Sequence, residues 1–180
     1  MTQPLSSLRA RDSALAPATE RHPRLFLATA MAGVAADQAG KAWAVAHLTA
    51  ARSQIALGLL HLQLARNPGA SFGLGRGLTP WIAAVSVTAV IALAVAGARA
   101  TTRASALVAG MIAAGAAGNA IDRFARSPGP GRGAVVDWIK LPFYGPVFNL
   151  ADVALRAGLL CALLLALGAE RHRRVSVRGR

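Results

Sequence analysis

Cysteine and histidine are scarce in this chain of 180 residues. The single cysteine, Cys161, lies in an apolar run, so the sequence offers neither a disulfide framework nor a cysteine-rich metal site. The four histidines are His22, His47, His61 and His172, and their spacings match no ligand pattern of a transition metal. We therefore expect no metal site.

Charged residues are also few, at 15% of the chain, whereas hydrophobic residues make up 54%. Soluble domains carry about a quarter of charged residues, so this composition indicates a membrane protein. The net charge of +13 is the feature that could indicate a nucleic-acid partner. However, the basic residues lie mainly between and beyond the apolar blocks, as the positive-inside rule predicts, and we expect no nucleic-acid partner.

Four apolar stretches are each close to the length that a membrane-spanning helix needs. A cleaved signal peptide is the alternative for the first stretch, because small residues such as Ala44 and Ala46 lie near its end. The stretch is too long for that, and Asp37 and Lys41 interrupt it. The fold class that we predict is a membrane all-α protein, whose four transmembrane helices cover residues 25–48, 80–98, 104–121 and 149–168.

Two polar loops separate these helices. In residues 49–79, apolar residues nearly alternate and a Gly-rich segment follows, which predicts short strands of a small extracytoplasmic β-sheet. Residues 122–148 are rich in glycine and proline and predict a periplasmic or extracellular loop. Within that loop, the glycines at 129, 131 and 133 indicate a flexible connection.

Orientation follows from the basic residues. The side with both tails and residues 99–103 holds eleven Lys and Arg residues, against seven on the side of the two long loops. Both termini are therefore expected to face the cytoplasm. The predicted domains are a disordered basic tail at 1–24, a four-span membrane domain at 25–168 and a second basic tail at 169–180.

Acidic residues number only seven, and four of them lie within or beside the predicted spans: Asp37, Asp122, Asp137 and Asp152. A carboxylate at membrane depth costs at least ~2.5 kcal/mol, so such a group is by default functional or paired. If two of the four converge, they can share a proton and hydrolyse an amide, with one acting as a base on water.

Structural roles compete with this hypothesis. Asp37 and Lys41 lie four residues apart on one helix face and can neutralise each other. Asp122 precedes Arg123 at a helix end, where a solvated ion pair would account for it. Near a helix N-terminus, Asp152 can complement the helix dipole, whereas Asp137 has no evident structural partner.

Other functions remain open at this point. The segment 69–73 matches the G-x-S-x-G motif of serine hydrolases, but it lacks the strand-to-helix context of that motif. The glycines at 129–133 do not precede the Lys-Ser/Thr of a phosphate loop. A small non-enzymatic membrane transporter would use carboxylates near the membrane midplane and would usually show an inverted repeat, which we do not find.

Five ordered motifs resemble those of one family. They are DQAGKAW, NPGASFG, GAAGNAIDR, VVDW and FNLAD, at residues 37–43, 67–73, 115–123, 135–138 and 148–152. Together they resemble the signatures of signal peptidase II, the lipoprotein signal peptidase. That family comprises bacterial intramembrane aspartyl peptidases, which cleave prolipoproteins before a diacylglyceryl-modified cysteine.

The resemblance implies a role for each matching residue and a cellular setting. Asp137 and Asp152 would be catalytic. The expected setting is the bacterial cytoplasmic membrane, with the active site near its outer face, membrane lipid and the prolipoprotein as partners, no cofactor, and a monomeric protein. The expected active-site support comes from Asn67, Gly115, Asn119, Arg123 and Asn149, and the expected structural residues are Asp37, Lys41 and Asp122.

Two features depart from the family pattern. The stretch 124–133 is longer than usual, and Arg156 places a charge inside the fourth predicted span. Arg156 would either extend its side chain to the membrane surface or contact the substrate.

Overall fold

The computed structural model describes residues 20–48, 55–58, 60–69 and 77–178. Each predicted span is a helix, although α3 and α4 extend beyond their predicted ends. The extension of α4 makes most of the expected tail at 169–180 helical, and the expected tail at 1–24 lies largely outside the described residues. The helices are α1 at Pro23–His47, α2 at Thr79–Ala98, α3 at Arg103–Ala125 and α4 at Leu150–Arg178.

Three of the helices are long and apolar enough to cross a membrane, which makes this a multi-pass membrane protein. Among the described residues these are Thr79–Ala98, Arg103–Ala125 and Leu150–Arg174. The 25 residues of α1 would suffice in length. Its composition does not establish it as a fourth span, because polar residues such as Asp37 and Lys41 lie inside it.

The helix α3 lies at the centre and packs against the other three helices. Its buried surface consists largely of alanine and glycine, which let neighbouring backbones approach closely. Thr102 starts the helix with a capping box, in which its hydroxyl accepts the Ser105 amide at 3.0 Å and the Ser105 hydroxyl accepts the Thr102 amide. The central helix can therefore carry residues that meet side chains from both α1 and α4.

A four-stranded antiparallel sheet adjoins the helices, in the order β1-β2-β3-β4. The strands predicted in residues 49–79 are confirmed, but the prediction of a plain loop at 122–148 is wrong, because that segment contributes two strands. Its first residues also belong to α3. The strands are β1 at Ile55–Leu57, β2 at Leu60–Asn67, β3 at Val135–Lys140 and β4 at Val147–Phe148.

The long segment between α3 and β3 folds into hydrogen-bonded turns, in place of the expected flexible connection. The Gly129 amide donates to Arg126 O at 3.1 Å, and the Gly133 amide donates to Arg123 O at 3.0 Å. A Cβ on Gly133 would overlap the Asp122 carbonyl oxygen. These contacts bring the chain back to the end of α3 just before β3 begins.

Candidate active site

Asp137 and Asp152 line one cavity of about 280 Å³ between α2, α3 and α4. Asp137 is a residue of β3, while Asp152 lies in the first turn of α4. The strand and the helix are adjacent because β4 leads directly into α4. The two carboxylates that the sequence suggested as a pair therefore line the same cavity, at one end of the helices.

Asn149 positions both carboxylates. As the residue before α4, it accepts the Asp152 amide on Oδ1 at 2.9 Å, which satisfies a free donor of the first turn. Its Nδ2 donates to Asp137 Oδ1 at 2.7 Å. One buried amide thus caps the helix that carries Asp152 and holds the side chain of Asp137.

Asp137 is almost completely buried, with 3% of its surface exposed. Burial, and after it the negative charge of Asp152, raise the pKa of Asp137 to about 7, although hydrogen bonds from Asn149 and Asn67 and the charge of Lys41 act in the opposite direction. A carboxyl group with this pKa holds or releases a proton near neutral pH, as a general acid or base must do.

Asn119 connects the cavity to the helix core. Its Nδ2 donates to Asp152 Oδ1 at 3.0 Å, and its Oδ1 accepts Lys41 Nζ at 3.0 Å and Asn149 Nδ2 at 3.1 Å. The amide orientation is thereby determined, because its oxygen faces two donors and its nitrogen faces a carboxylate.

Arg123 supplies a buried positive charge to the same cavity. It donates through Nη1 to Asn119 O at 3.1 Å and through Nη2 to Gly69 O at 2.9 Å. Within the described residues its Nε has no hydrogen-bond partner. The structure therefore places a guanidinium beside the two carboxylates, with a donor that remains available.

Asp37, Lys41 and Asp122 form a fully buried ion cluster, which Asn119 connects to the cavity. Lys41 Nζ lies 2.8 Å from Asp37 Oδ2 and 3.0 Å from Asp122 Oδ2. The suggestion of a solvated Asp122–Arg123 pair is wrong: Asp122 pairs with Lys41 and with Arg126, whose Nε lies 2.7 Å from its Oδ1. Asp122 is fully buried, and a carboxylate without water is stable only when nearby cations neutralise it.

This cluster also supports the elements that carry the two carboxylates of the cavity. Asp37 Oδ1 accepts the Ala151 amide at 2.9 Å, in the first turn of α4. Asp122 Oδ2 accepts the Val136 amide at 3.0 Å, next to Asp137 in β3. Each acid of the cluster thus binds the backbone one residue before an acid of the cavity.

Gly115 lies at a close approach of α3 and α4. A Cβ at this position would overlap the Ala151 carbonyl oxygen and crowd the Leu155 side chain. Any larger residue would force the helices apart and move the start of α4. Gly115 therefore lines the cavity through its backbone and allows Asn119, one turn later, to reach Asp152.

The family assignment follows from comparison with known proteins. A family model described as signal peptidase (SPase) II matches residues 29–168. The chain belongs to the signal peptidase II family. Lipoprotein signal peptidases of Bifidobacterium longum subsp. infantis and Rhodococcus jostii are 40% and 36% identical to this chain. The first alignment covers 147 residues, or 80% of this chain and 79% of the relative, and the second covers 154, or 84% and 77%.

Solved structures agree with the family assignment. A bacterial membrane enzyme solved by the in meso method at 2.3 Å resolution superimposes with a TM-score of 0.69 and 25% identity, covering 79% of this chain and 87% of the other. A second structure of this description, at 1.9 Å, has a TM-score of 0.66 and 26% identity, covering 79% and 92%. The resemblance to signal peptidase II drawn from the five motifs is thus confirmed.

Metal-ligand clusters of three or more His, Cys, Asp or Glu residues do not occur among the described residues. The carboxylates of the cavity accept hydrogen bonds from the side-chain Nδ2 groups of Asn149 and Asn119, and Arg123 lines the same cavity. Independence from metal ions stays a prediction for this member of the signal peptidase II family.

Several residues around the site escaped the sequence analysis. Arg126 neutralises Asp122. The two residues lie four apart on α3, and this spacing would have allowed the ion pair to be predicted. Gln38, a residue of the DQAGKAW motif, donates from Nε2 to Gly118 O at 3.0 Å. The residues of α2 that line the cavity could not be predicted as site residues, because they are typical of any membrane helix.

The raised pKa of Asp137 predicts a pH dependence of stability. The native protein keeps the proton on Asp137 up to about pH 7, whereas the unfolded chain releases it near the ordinary pKa of 3.8. This contribution to stability is therefore complete below about pH 4 and is lost as the pH rises to about 7. We expect the thermal midpoint of the wild type in detergent to fall across this interval, and Asp137→Asn to lack that part of the fall. Parallel profiles for the two proteins would contradict the assignment.

Proposed function

We propose that this protein removes signal peptides from bacterial prolipoproteins, before the diacylglyceryl-modified cysteine, as an intramembrane aspartyl peptidase. The observation that carries the proposal is the presence of Asp137 and Asp152 in the lining of one cavity, with the pKa of Asp137 raised to about 7. Membership of the signal peptidase II family supplies the reaction class.

In the proposed mechanism, the two carboxylates share one proton. One takes a proton from a water molecule, which attacks the scissile carbonyl, and the other donates a proton to the carbonyl oxygen. The tetrahedral intermediate then collapses: the second carboxylate takes back a hydroxyl proton, the C–N bond breaks, and the first carboxyl group gives its proton to the leaving amine. A water molecule activated in this way needs no metal ion. The partly buried setting favours the shared proton, because two adjacent carboxylates are difficult to ionise together away from water.

The surrounding polar residues hold this arrangement. Asn149 and Asn67 orient Asp137, Asn119 orients Asp152, and Gly115 provides the close helix contact. Arg123 contributes positive charge for the negative charge that develops on the attacked carbonyl. We assign Asp37, Lys41 and Asp122 a structural role, because their charges are satisfied within the core.

The membrane arrangement that we propose has α1 as the fourth span, with residues 25–168 forming one membrane domain between basic tails. The helix α1 is about 37 Å long, which suffices for a hydrocarbon core of about 30 Å. Its charges Asp37 and Lys41 face α3 and α4 and are buried. Four spans put both termini on the cytoplasmic side and the cavity near the outer face of the bacterial cytoplasmic membrane.

Thiol labelling tests the orientation. In a Cys161→Ala background, a cysteine at Ser53 or at Ser127, which is exposed, should react with an impermeant reagent added to intact cells. A cysteine at Ser176 in α4 should react only after the cells are opened. The Ser53 position lies outside the described residues, so Ser127 provides the structural control. Reaction of the Ser176 variant in intact cells would reverse the topology.

Cleavage of a defined substrate tests the function. The purified protein in detergent, with a chelator present, is expected to cut a diacylglyceryl-modified prolipoprotein before its cysteine. An unmodified precursor should be cut far more slowly, because the lipid supplies binding energy and orientation. Equal rates for both precursors would contradict the lipid dependence, and a rate restored only by a divalent ion would contradict the aspartyl mechanism.

The transporter alternative has no support. Asp137 lies on a strand outside the helices and Asp152 lies in the first turn of α4, so neither carboxylate is midway along a helix. The family match names a peptidase.

A further inference from the structure

Arg156 is a charged residue of α4 that the proposed mechanism leaves unused. From residue 157 to residue 169 the helix carries no charge, so Arg156 lies at the beginning of the apolar part of a candidate span, one turn after Asp152. Within the described part of the chain it forms no hydrogen bond and no ion pair. An unpaired guanidinium in such a place is costly and indicates a functional contact.

The position of Arg156 relates it directly to the active-site cavity. It follows Asp152 by four residues, so the two side chains share one helix face about 6 Å apart along the axis. Helical side chains lean towards the N-terminus, which directs Arg156 towards the end of α4 that bears Asp152. In agreement with this, Arg156 lines the same cavity as both carboxylates.

The cavity wall contributed by α2 is apolar. Ile82, Val85 and Ala89 line it from successive turns of α2. Ser86 lies among them, but its hydroxyl donates to the Ile82 carbonyl at 2.8 Å, so its donor is used within the helix. The cavity therefore combines, beside the two carboxylates, an apolar surface with the five N–H donors of the Arg156 guanidinium.

We propose that Arg156 binds the ester carbonyl oxygens of the substrate's diacylglyceryl group. The inference rests on the proposed function, which places a lipidated cysteine beside Asp137 and Asp152. The two esters of that group lie a few bonds from the scissile peptide, a separation on the order of one helical turn. They are acceptors attached to acyl chains, and so match donors beside an apolar wall. Arg156 is thus a positioning residue, which fixes the depth of the lipid and does not touch the reacting atoms.

The test compares two lipopeptides that are identical except for ester or ether linkage of the two chains. Ether oxygens are weaker acceptors, and an ether linkage has no carbonyl oxygen. Kinetics are measured in a detergent free of ester and phosphate groups, so that no bystander lipid competes. For the diester substrate, Arg156→Gln should raise KM roughly tenfold with kcat nearly unchanged, because a hydrogen bond equal in the ground and transition states affects binding alone.

The diether substrate and two further variants provide the controls. The wild type should already bind the diether weakly, and Arg156→Gln should change its KM little further. Arg156→Lys, which keeps the charge and loses the planar fork, should show an intermediate KM on the diester. Arg171→Gln, on the same helix outside the cavity, should match the wild type.

The outcomes separate the inference from the function on which it rests. An unchanged KM for Arg156→Gln on the diester would mean that Arg156 only reaches to the membrane surface, and would overturn the inference. The same rise in KM on both substrates would also overturn it, since the contact would not involve the ester carbonyls. A wild type that cleaves neither lipopeptide would instead reject the proposed function itself.

Discussion

Asp137→Asn and Asp152→Asn should each lower kcat for prolipoprotein cleavage by roughly three orders of magnitude or more, with the double variant hardly worse than either. Asparagine keeps the shape and hydrogen-bonding capacity of each side chain but cannot exchange the shared proton. Because both carboxylates act in one proton transfer, loss of either removes the whole contribution. The measurement is single-turnover cleavage of a lipidated precursor by purified protein, with folding checked by the thermal midpoint.

Two acidic residues serve as controls for this comparison. Glu170→Gln changes an exposed acid that pairs with Arg174, and it should leave kcat unchanged. Asp122→Asn is the stringent control, because Asp122 lies close to the site but binds Lys41, Arg126 and the Val136 amide. We expect a partial defect there. If Asp122→Asn abolished cleavage in a folded protein and Asp137→Asn did not, the catalytic pair would be Asp122 and Asp152.

The helices could be predicted from the sequence because each is a long apolar block whose length is set by the membrane. Their ends were less certain. Asp122 and Arg123 lie inside α3 rather than beyond it, because their charges are satisfied by partners from α1 and from the segment around Gly69. Local sequence contains no information on such partners, so the pattern of hydrophobicity ended the helix too early.

The two strands β3 and β4 were missed for a related reason. β4 has only two residues, and β3 is flanked by glycine- and proline-rich segments that predict a loop. What makes β3 a strand is its pairing with β2, including Ala65 opposite Asp137. That pairing joins segments about 70 residues apart in the chain, which no local periodicity reveals.

For the candidate site, motif resemblance supplied the residues, and the structure supplies how they are connected. The Asp37–Lys41 pair was predictable from its spacing on one helix. The third member of that cluster, Asp122, comes from a different helix and was assigned a different partner. The link from Lys41 through Asn119 to Asp152 also depends on tertiary packing alone.

Lys41→Met should produce a large loss of stability. Lys41 Nζ is the shared cation of two fully buried carboxylates, and it also donates to Asn119 Oδ1. Its removal leaves Asp37 without a cation, and a buried charge that loses its partner costs about 3 to 5 kcal/mol. We expect a much lower thermal midpoint in detergent and a low yield of folded protein.

Three comparisons distinguish this electrostatic cause from a simple loss of packing. Asp37→Asn should be milder, because Lys41 retains Asp122 as its partner. Arg126→Gln should also be milder, since Arg126 is partly exposed and Lys41 still neutralises Asp122. The triple variant Asp37→Asn, Lys41→Met, Asp122→Asn removes all three charges together and should recover much of the stability that Lys41→Met alone loses. If the triple variant were as unstable as the sum of its parts, the cluster would act through shape and not through charge, and the structural role assigned to its acids would have to be withdrawn.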